Sequence, residues 1–94
     1  MNPESLQLHQ ALRIAAAEGD LERVRSLLQA GANPDFLEST GGTALHEAVI
    51  NRHSAVVELL IEAGADPSIR DSDGYTPAGR AEQDNDPRIL QLLR

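Results

Sequence analysis

Ninety-four residues, 40% of them hydrophobic and 24% charged, suffice for one small globular domain and are too few for two independent cores. There is no cysteine and no lysine, which excludes disulfides, thiolate nucleophiles, Cys-ligated zinc, a P-loop lysine and Schiff-base chemistry. Fifteen acids against eight arginines leave a formal charge of −7, which counts against binding to nucleic acid or to an anionic membrane surface.

Along the chain, Met1-Asn2-Pro3-Glu4 carries neither the positive charge nor the apolar run of a targeting segment, and no stretch approaches membrane-spanning length. The chain therefore reads as soluble and cytoplasmic. A helix is expected over Leu21–Gln29, capped by Asp20 and closed by Gly31. The segment Leu-Leu-Gln-Ala-Gly-Ala-Asn-Pro-Asp at 27–35 returns as Leu-Ile-Glu-Ala-Gly-Ala-Asp-Pro-Ser at 60–68. Leu12 and Leu45, Ala15 and Ala48, Val24 and Val57, and Gly31 and Gly64 are each 33 residues apart. A constant spacing with no insertion marks repeated structural units. In the middle unit Thr43 caps a helix over about 44–51, and Ala48 leaves room for a second helix near 54–62. That second helix places Val56, Val57, Leu59, Leu60 and Ile61 on a broad apolar stripe, and Gly64 ends it. Asp66-Pro67 and Asp71-Ser72-Asp73-Gly74 are turn chemistry. Gly41, Thr43, Ala48, Val57, Leu59 and Leu60 recur as Gly74, Thr76, Ala81, Leu90, Leu92 and Leu93. Pro77 and Pro87 follow the caps Thr76 and Asp86 at first-turn positions. The expected fold is all-α, three stacked helix-turn-helix units.

Gly-Gly-Thr-Ala-Leu-His-Glu-Ala-Val at 41–49 resembles the ankyrin signature Gly-x-Thr-Pro-Leu-His-x-Ala-Ala, and 56–66 resembles its second half. Asp-Ser-Asp-Gly-Tyr-Thr-Pro-Ala at 71–78 opens another copy. The resemblance implies an ankyrin-repeat solenoid joined by β-turn or hairpin loops, as one domain over 1–94. Its units are about 5–37 (N-terminal cap), 38–70 (central) and 71–94 (C-terminal cap). It also implies a protein-protein interaction module, an adaptor or inhibitor with no enzymatic activity, cofactor or metal. Recognition falls to the turns and the first-helix face: Leu37, Ser39, Thr40 and Gly42, then Arg70, Ser72, Asp73 and Tyr75. At the first-helix ends lie Ala17 with Glu18, Ile50 with Asn51, and Gln83 with Asp84. Tyr75 and Arg70 stand out because such residues dominate interface hot spots. The second helices are expected to be apolar and buried, and the molecule to be a monomer with weak end-to-end self-association through Leu90 and Leu93.

Enzyme-like fragments fail on their chemistry. His46-Glu47-Ala48-Val49-Ile50 begins a zinc motif but has Ile50 where the second histidine belongs. His53 lies about 10 Å further along a continuous helix, too far to share a metal. A hydrolase built on His46, His53 and the acids of 71–86 is thus the weaker reading, as is a fragment of a longer array. Asp71-x-Asp73 with Glu82 spans an EF-hand loop, yet Thr76 replaces its glycine and Pro77 disrupts it. His46 and the aspartates are expected to stabilise turns. Six acids between Asp66 and Asp86 stand against only Arg70 and Arg80, which reads first as a solubilising surface with a polar C-terminal cap and, as the alternative, as a negative patch that steers a protein partner with a basic surface onto the Tyr75 turn.

Overall fold

The computed structural model describes residues 3–94; Met1 and Asn2, half of the segment read above as lacking a targeting signal, lie outside them. Among the described residues there are six helices and no strand: α1 (Pro3–Glu18), α2 (Leu21–Gln29), α3 (Ala44–Ile50), α4 (Ser54–Glu62), α5 (Pro77–Gln83) and α6 (Pro87–Leu92). Local chemistry sets the ends. Asp20, Thr43, Thr76 and Asp86 each accept a hydrogen bond from the amide three residues on. Pro77 and Pro87 open their helices, where a missing amide hydrogen leaves nothing unsatisfied. Gly31 and Gly64 follow α2 and α4 at φ +100° and +93°, a region that penalises a side chain. Expected and observed limits differ by one residue at α3. The larger departure is α1, which begins at Pro3, ahead of the unit start expected near residue 5, and has 16 residues where α3 and α5 have seven.

The helices form two layers. α1, α3 and α5 pack side by side, α2, α4 and α6 do the same behind them, and each unit joins one helix from each layer. A single apolar core runs between the layers through Leu12, Val24, Leu45, Val49, Val57, Leu60 and Ile89. Ala15, Ala48 and Ala81, 33 residues apart, are all fully buried at one position of the three first helices, where a larger side chain would hold the layers apart.

The expectation that the second helices are the buried ones needs correcting. α3 buries Ala44, Leu45, His46, Ala48 and Val49, whereas the longer α4 buries only Val56, Val57 and Leu60. Leu59 and Ile61 remain half-exposed. Each has three helical neighbours, but α1 and α5 pack more closely on the two sides of α3 than α2 and α6 do on those of α4.

Candidate functional site

The loops that precede α3 and α5 are reverse turns laid side by side. In the first, the Gly41 amide bonds the Glu38 carbonyl and the Glu38 amide bonds that of Gly42. In the second, Gly74 bonds Asp71, and the Asp71 amide donates to the Tyr75 carbonyl at 2.8 Å. The Ser72 amide donates to the Gly41 carbonyl at 2.9 Å and joins the two turns. His46 adds a second stitch. Its Nδ1 accepts from the Thr43 amide at 3.1 Å, so Nε2 carries the proton and donates to the Tyr75 carbonyl at 2.8 Å. Both nitrogens of this buried ring are spent on turns, as expected. His53 is not on the helix of His46, because α3 ends at Ile50; it stands at the N-cap position of α4 without a capping bond from its side chain, and its Nε2 donates instead to the Ala17 carbonyl at 3.0 Å.

Most of the expected recognition residues face solvent. Ser39, Thr40, Arg70, Ser72 and Asp73 are exposed on the turns, with Leu37 (44%) and Tyr75 (36%) flanking them. Ile50 (43%), Asn51 and Gln83 are exposed at the ends of α3 and α5, Glu18 at the end of α1, and Ala17 and Asp84 are half-buried. Gly42 does not belong with them. It is buried, and a Cβ there would lie 2.8 Å from the His46 ring, so its glycine makes room for that histidine. Ile14, absent from the expected face, is the most exposed large hydrophobic residue among those described, at 57%. With Arg13, Ala17 and Glu47 it lines a cavity of about 80 Å³ between α1 and α3.

Two arginines on this side are each held by two carboxylates. Arg13 reaches Glu38 at 3.2 Å and Glu47 at 3.6 Å, tying α1 to the first turn and to α3. Arg80 reaches Asp71 at 2.7 Å and Asp73 at 3.1 Å. The Asp71 side chain, 4% exposed, also accepts from the amides of Asp73 and Tyr75. Burial works against its charge, but the hydrogen bonds from Arg80, Tyr75 and Asp73 outweigh burial and hold its pKa below the ordinary carboxylate value. The same bond to Asp71, followed by that to Asp73, raises Arg80 despite partial burial. Of the six acids between Asp66 and Asp86, four are engaged in these bonds, in the Asp66–Ser68 turn or in the α6 cap.

A family profile described as ankyrin repeats, in three copies, matches residues 9–94. The chain belongs to the ankyrin repeat family. Its similar relatives include the putative ankyrin repeat protein FPV014 of Fowlpox virus (strain NVSL), 49% identical over 49 residues, which are 52% of this chain and 11% of that protein. Ankyrin repeat domain-containing protein 39 of Homo sapiens is 40% identical over 57 residues, 61% of this chain and 31% of that one. Rabankyrin-5 of Mus musculus is 41% identical over 49 residues, 52% of this chain and 4% of that one. The chain thus spans under a third of each of these relatives.

The ankyrin register also accounts for what the sequence reading missed. Ile14 occupies the position of Glu47 and Arg80, and Arg13 that of His46 and Gly79. Arg13 does in the first repeat what His46 does in the second: it holds the following turn, here by charge rather than by an imidazole. Among the described residues no later turn lies beyond Gly79 for such a side chain to hold. Laying the three first helices over one another would have flagged an isoleucine in a row of charged residues. No helix among the described residues is long and apolar enough to cross a membrane.

Proposed function

We propose that this chain is a protein-binding module, an adaptor or inhibitor that acts by occupying a partner and performs no chemistry of its own. It is read as one monomeric, cytoplasmic domain, and its partner as a protein with a basic surface. Ankyrin repeats are in general protein-interaction modules, typically without enzymatic activity. The observation that carries the reading to a particular face is the placement of the exposed large hydrophobic residues. Among the described residues all five, Leu6, Ile14, Leu37, Ile50 and Tyr75, lie on α1, on α3 or on the loops that lead into α3 and α5, and none lies on α2, α4 or α6. An exposed isoleucine at the end of a helix gains nothing in isolation, and an aromatic beside aliphatics is the composition of an interface core. Two carboxylates on each of Arg13 and Arg80 leave both clusters net negative, which suits a basic partner.

The rival surface is a groove of about 310 Å³ on the back, lined by Arg25, Leu28, Gln29, Leu59, Glu62 and Ala63 of α2 and α4. Capture of a partner from host extract, followed by titration calorimetry on the purified pair, separates the two. Tyr75→Ala and Ile50→Glu are each expected to weaken binding by at least about 1 kcal/mol, roughly fivefold, with an unchanged melting curve. Arg25→Ala and Glu22→Ala should bind like the parent. Binding that survives Tyr75→Ala with Ile50→Glu but is lost with Arg25→Ala would move recognition to the back groove.

A further inference from the structure

The second turn carries a device that the other turns lack. Tyr75 is the last residue before the α5 cap Thr76, and its ring lies along the helix under the Arg80 guanidinium, 4.4 Å from carbon to ring centroid. Such a spacing is within reach of a cation–π contact. At the far end of the ring the Tyr75 hydroxyl lies 3.5 Å from Gln83 Nε2, while Gln83 Oε1 accepts from Arg80 at 3.4 Å. Arg80 turns its remaining nitrogens to Asp71 and Asp73. Asp71 closes the circuit by accepting the Tyr75 amide at 2.9 Å. One guanidinium therefore touches two carboxylates, one amide oxygen and one aromatic face. With two carboxylates upon it, its charge is already answered within the chain. The equivalent positions in the other repeats hold Ile14 and Glu47 for Arg80, and His9 and Gly42 for Tyr75, so neither has this arrangement.

We infer that Arg80 is a positioning residue of the recognition face, which fixes the Tyr75 ring in one orientation before any partner arrives. The inference rests on the reading that this face binds protein, and it names what sets the face's geometry. A ring that is already ordered loses less rotamer freedom on binding, which is the general advantage of preorganisation. Lysine at 80 would keep the charge but not the function. A single ammonium lacks the planar fork that meets Asp71, Asp73 and Gln83 together while covering the ring.

The test needs no partner, because Tyr75 is the only tyrosine and there is no tryptophan, so tyrosine emission comes from this ring alone. The full chain is examined by near-ultraviolet circular dichroism and by acrylamide quenching, with far-ultraviolet circular dichroism as the check on folding. In Arg80→Met and Arg80→Lys the near-ultraviolet tyrosine band should fall by about half and quenching should rise, as expected for a ring released into several rotamers. The helical signal should persist. Should Arg80→Met fail to fold, the double variant Asp73→Asn with Gln83→Ala keeps the Asp71 pair and removes two outer contacts. It is expected to shift both readouts in the same direction by a smaller amount. A parental tyrosine band and parental quenching in folded Arg80→Met, or in the double variant, would overturn the inference. Since the readout is taken on the free chain, it stands or falls separately from the binding experiment: an ordered Tyr75 that contributes nothing to affinity would sink the proposed face and leave the clamp intact.

Discussion

Asp71 joins two roles in one side chain, fixing the turn backbone through its Oδ1 and Arg80 through its Oδ2. Its folded-state pKa lies below the ordinary value, so the native chain binds that proton more weakly than the unfolded chain does. The stabilisation is therefore complete above the unfolded value of about 3.9 and disappears as pH falls through the lower folded value. Asp71→Asn should be less stable at neutral pH by about 1.5–3 kcal/mol, the usual worth of hydrogen bonds to a charged group. More telling is the slope. Thermal melts between about pH 7 and pH 3 should show a smaller acid loss for Asp71→Asn than for the parent, because the variant has no proton to take up at that site. Equal slopes would assign acid sensitivity to other carboxylates.

At the scale of elements, the connections between paired helices repeat one backbone device with three different residues. Gly19, Arg52 and Asn85, 33 residues apart, adopt φ of +74°, +61° and +54°. Gly19 is needed twice over. A Cβ there would sit 2.6 Å from His53 Nδ1, because that imidazole lies across the turn to reach Ala17. The repeat after Arg52 has Asp86 in place of a histidine, so nothing comparable is required to cross that turn, and the side chain is tolerated despite its left-handed backbone. Arg52 instead reaches the Asp84 carbonyl at 3.3 Å. Chemical denaturation should accordingly find Gly19→Ala destabilised by more than about 1 kcal/mol, through backbone strain and a displaced His53. Arg52→Gly should stay within about 0.5 kcal/mol of the parent, since relief of the left-handed strain offsets a lost exposed bond and a looser unfolded chain. Comparable losses at both sites would mean that His53 is not what restricts residue 19.

For the whole molecule, the decisive fact is that one core passes through all three repeats and that α3 touches the first helices on either side. Each repeat alone buries too little to stand by itself, so unfolding should be a single transition. Leu60, fully buried on α4, reports on it. Leu60→Ala should remove about 2–5 kcal/mol, a large part of the stability expected for so small a domain. Because Tyr75 sits in the third repeat and helicity is spread over all of them, tyrosine fluorescence and far-ultraviolet circular dichroism should give coincident curves for parent and variant alike. Separated midpoints would show that the repeats come apart one at a time.

Helix limits, caps and the 33-residue register were legible in the chain itself, because they rest on contacts within three or four residues: a threonine and the amide it caps, a proline in a first turn, a glycine after a last one. The turn aspartates were legible for the same reason, and the repeat register marked His46 as a turn-holding histidine, though its bond to the Tyr75 carbonyl spans 29 residues, and Leu37, Ile50 and Tyr75 as solvent-facing positions. What the tertiary structure alone decided is what covers what. Gly42 is hidden because His46 folds over it, and Ile14 stays exposed at the mouth of the cavity between α1 and α3, which Glu47 lines without covering it. Arg13 and Arg80 look like ordinary surface charges until the turns bring Glu38, Asp71 and Asp73 within reach. Period and local chemistry place a residue on its element, but exposure and ion pairing depend on neighbours many residues away, and only the stacking of the repeats supplies them.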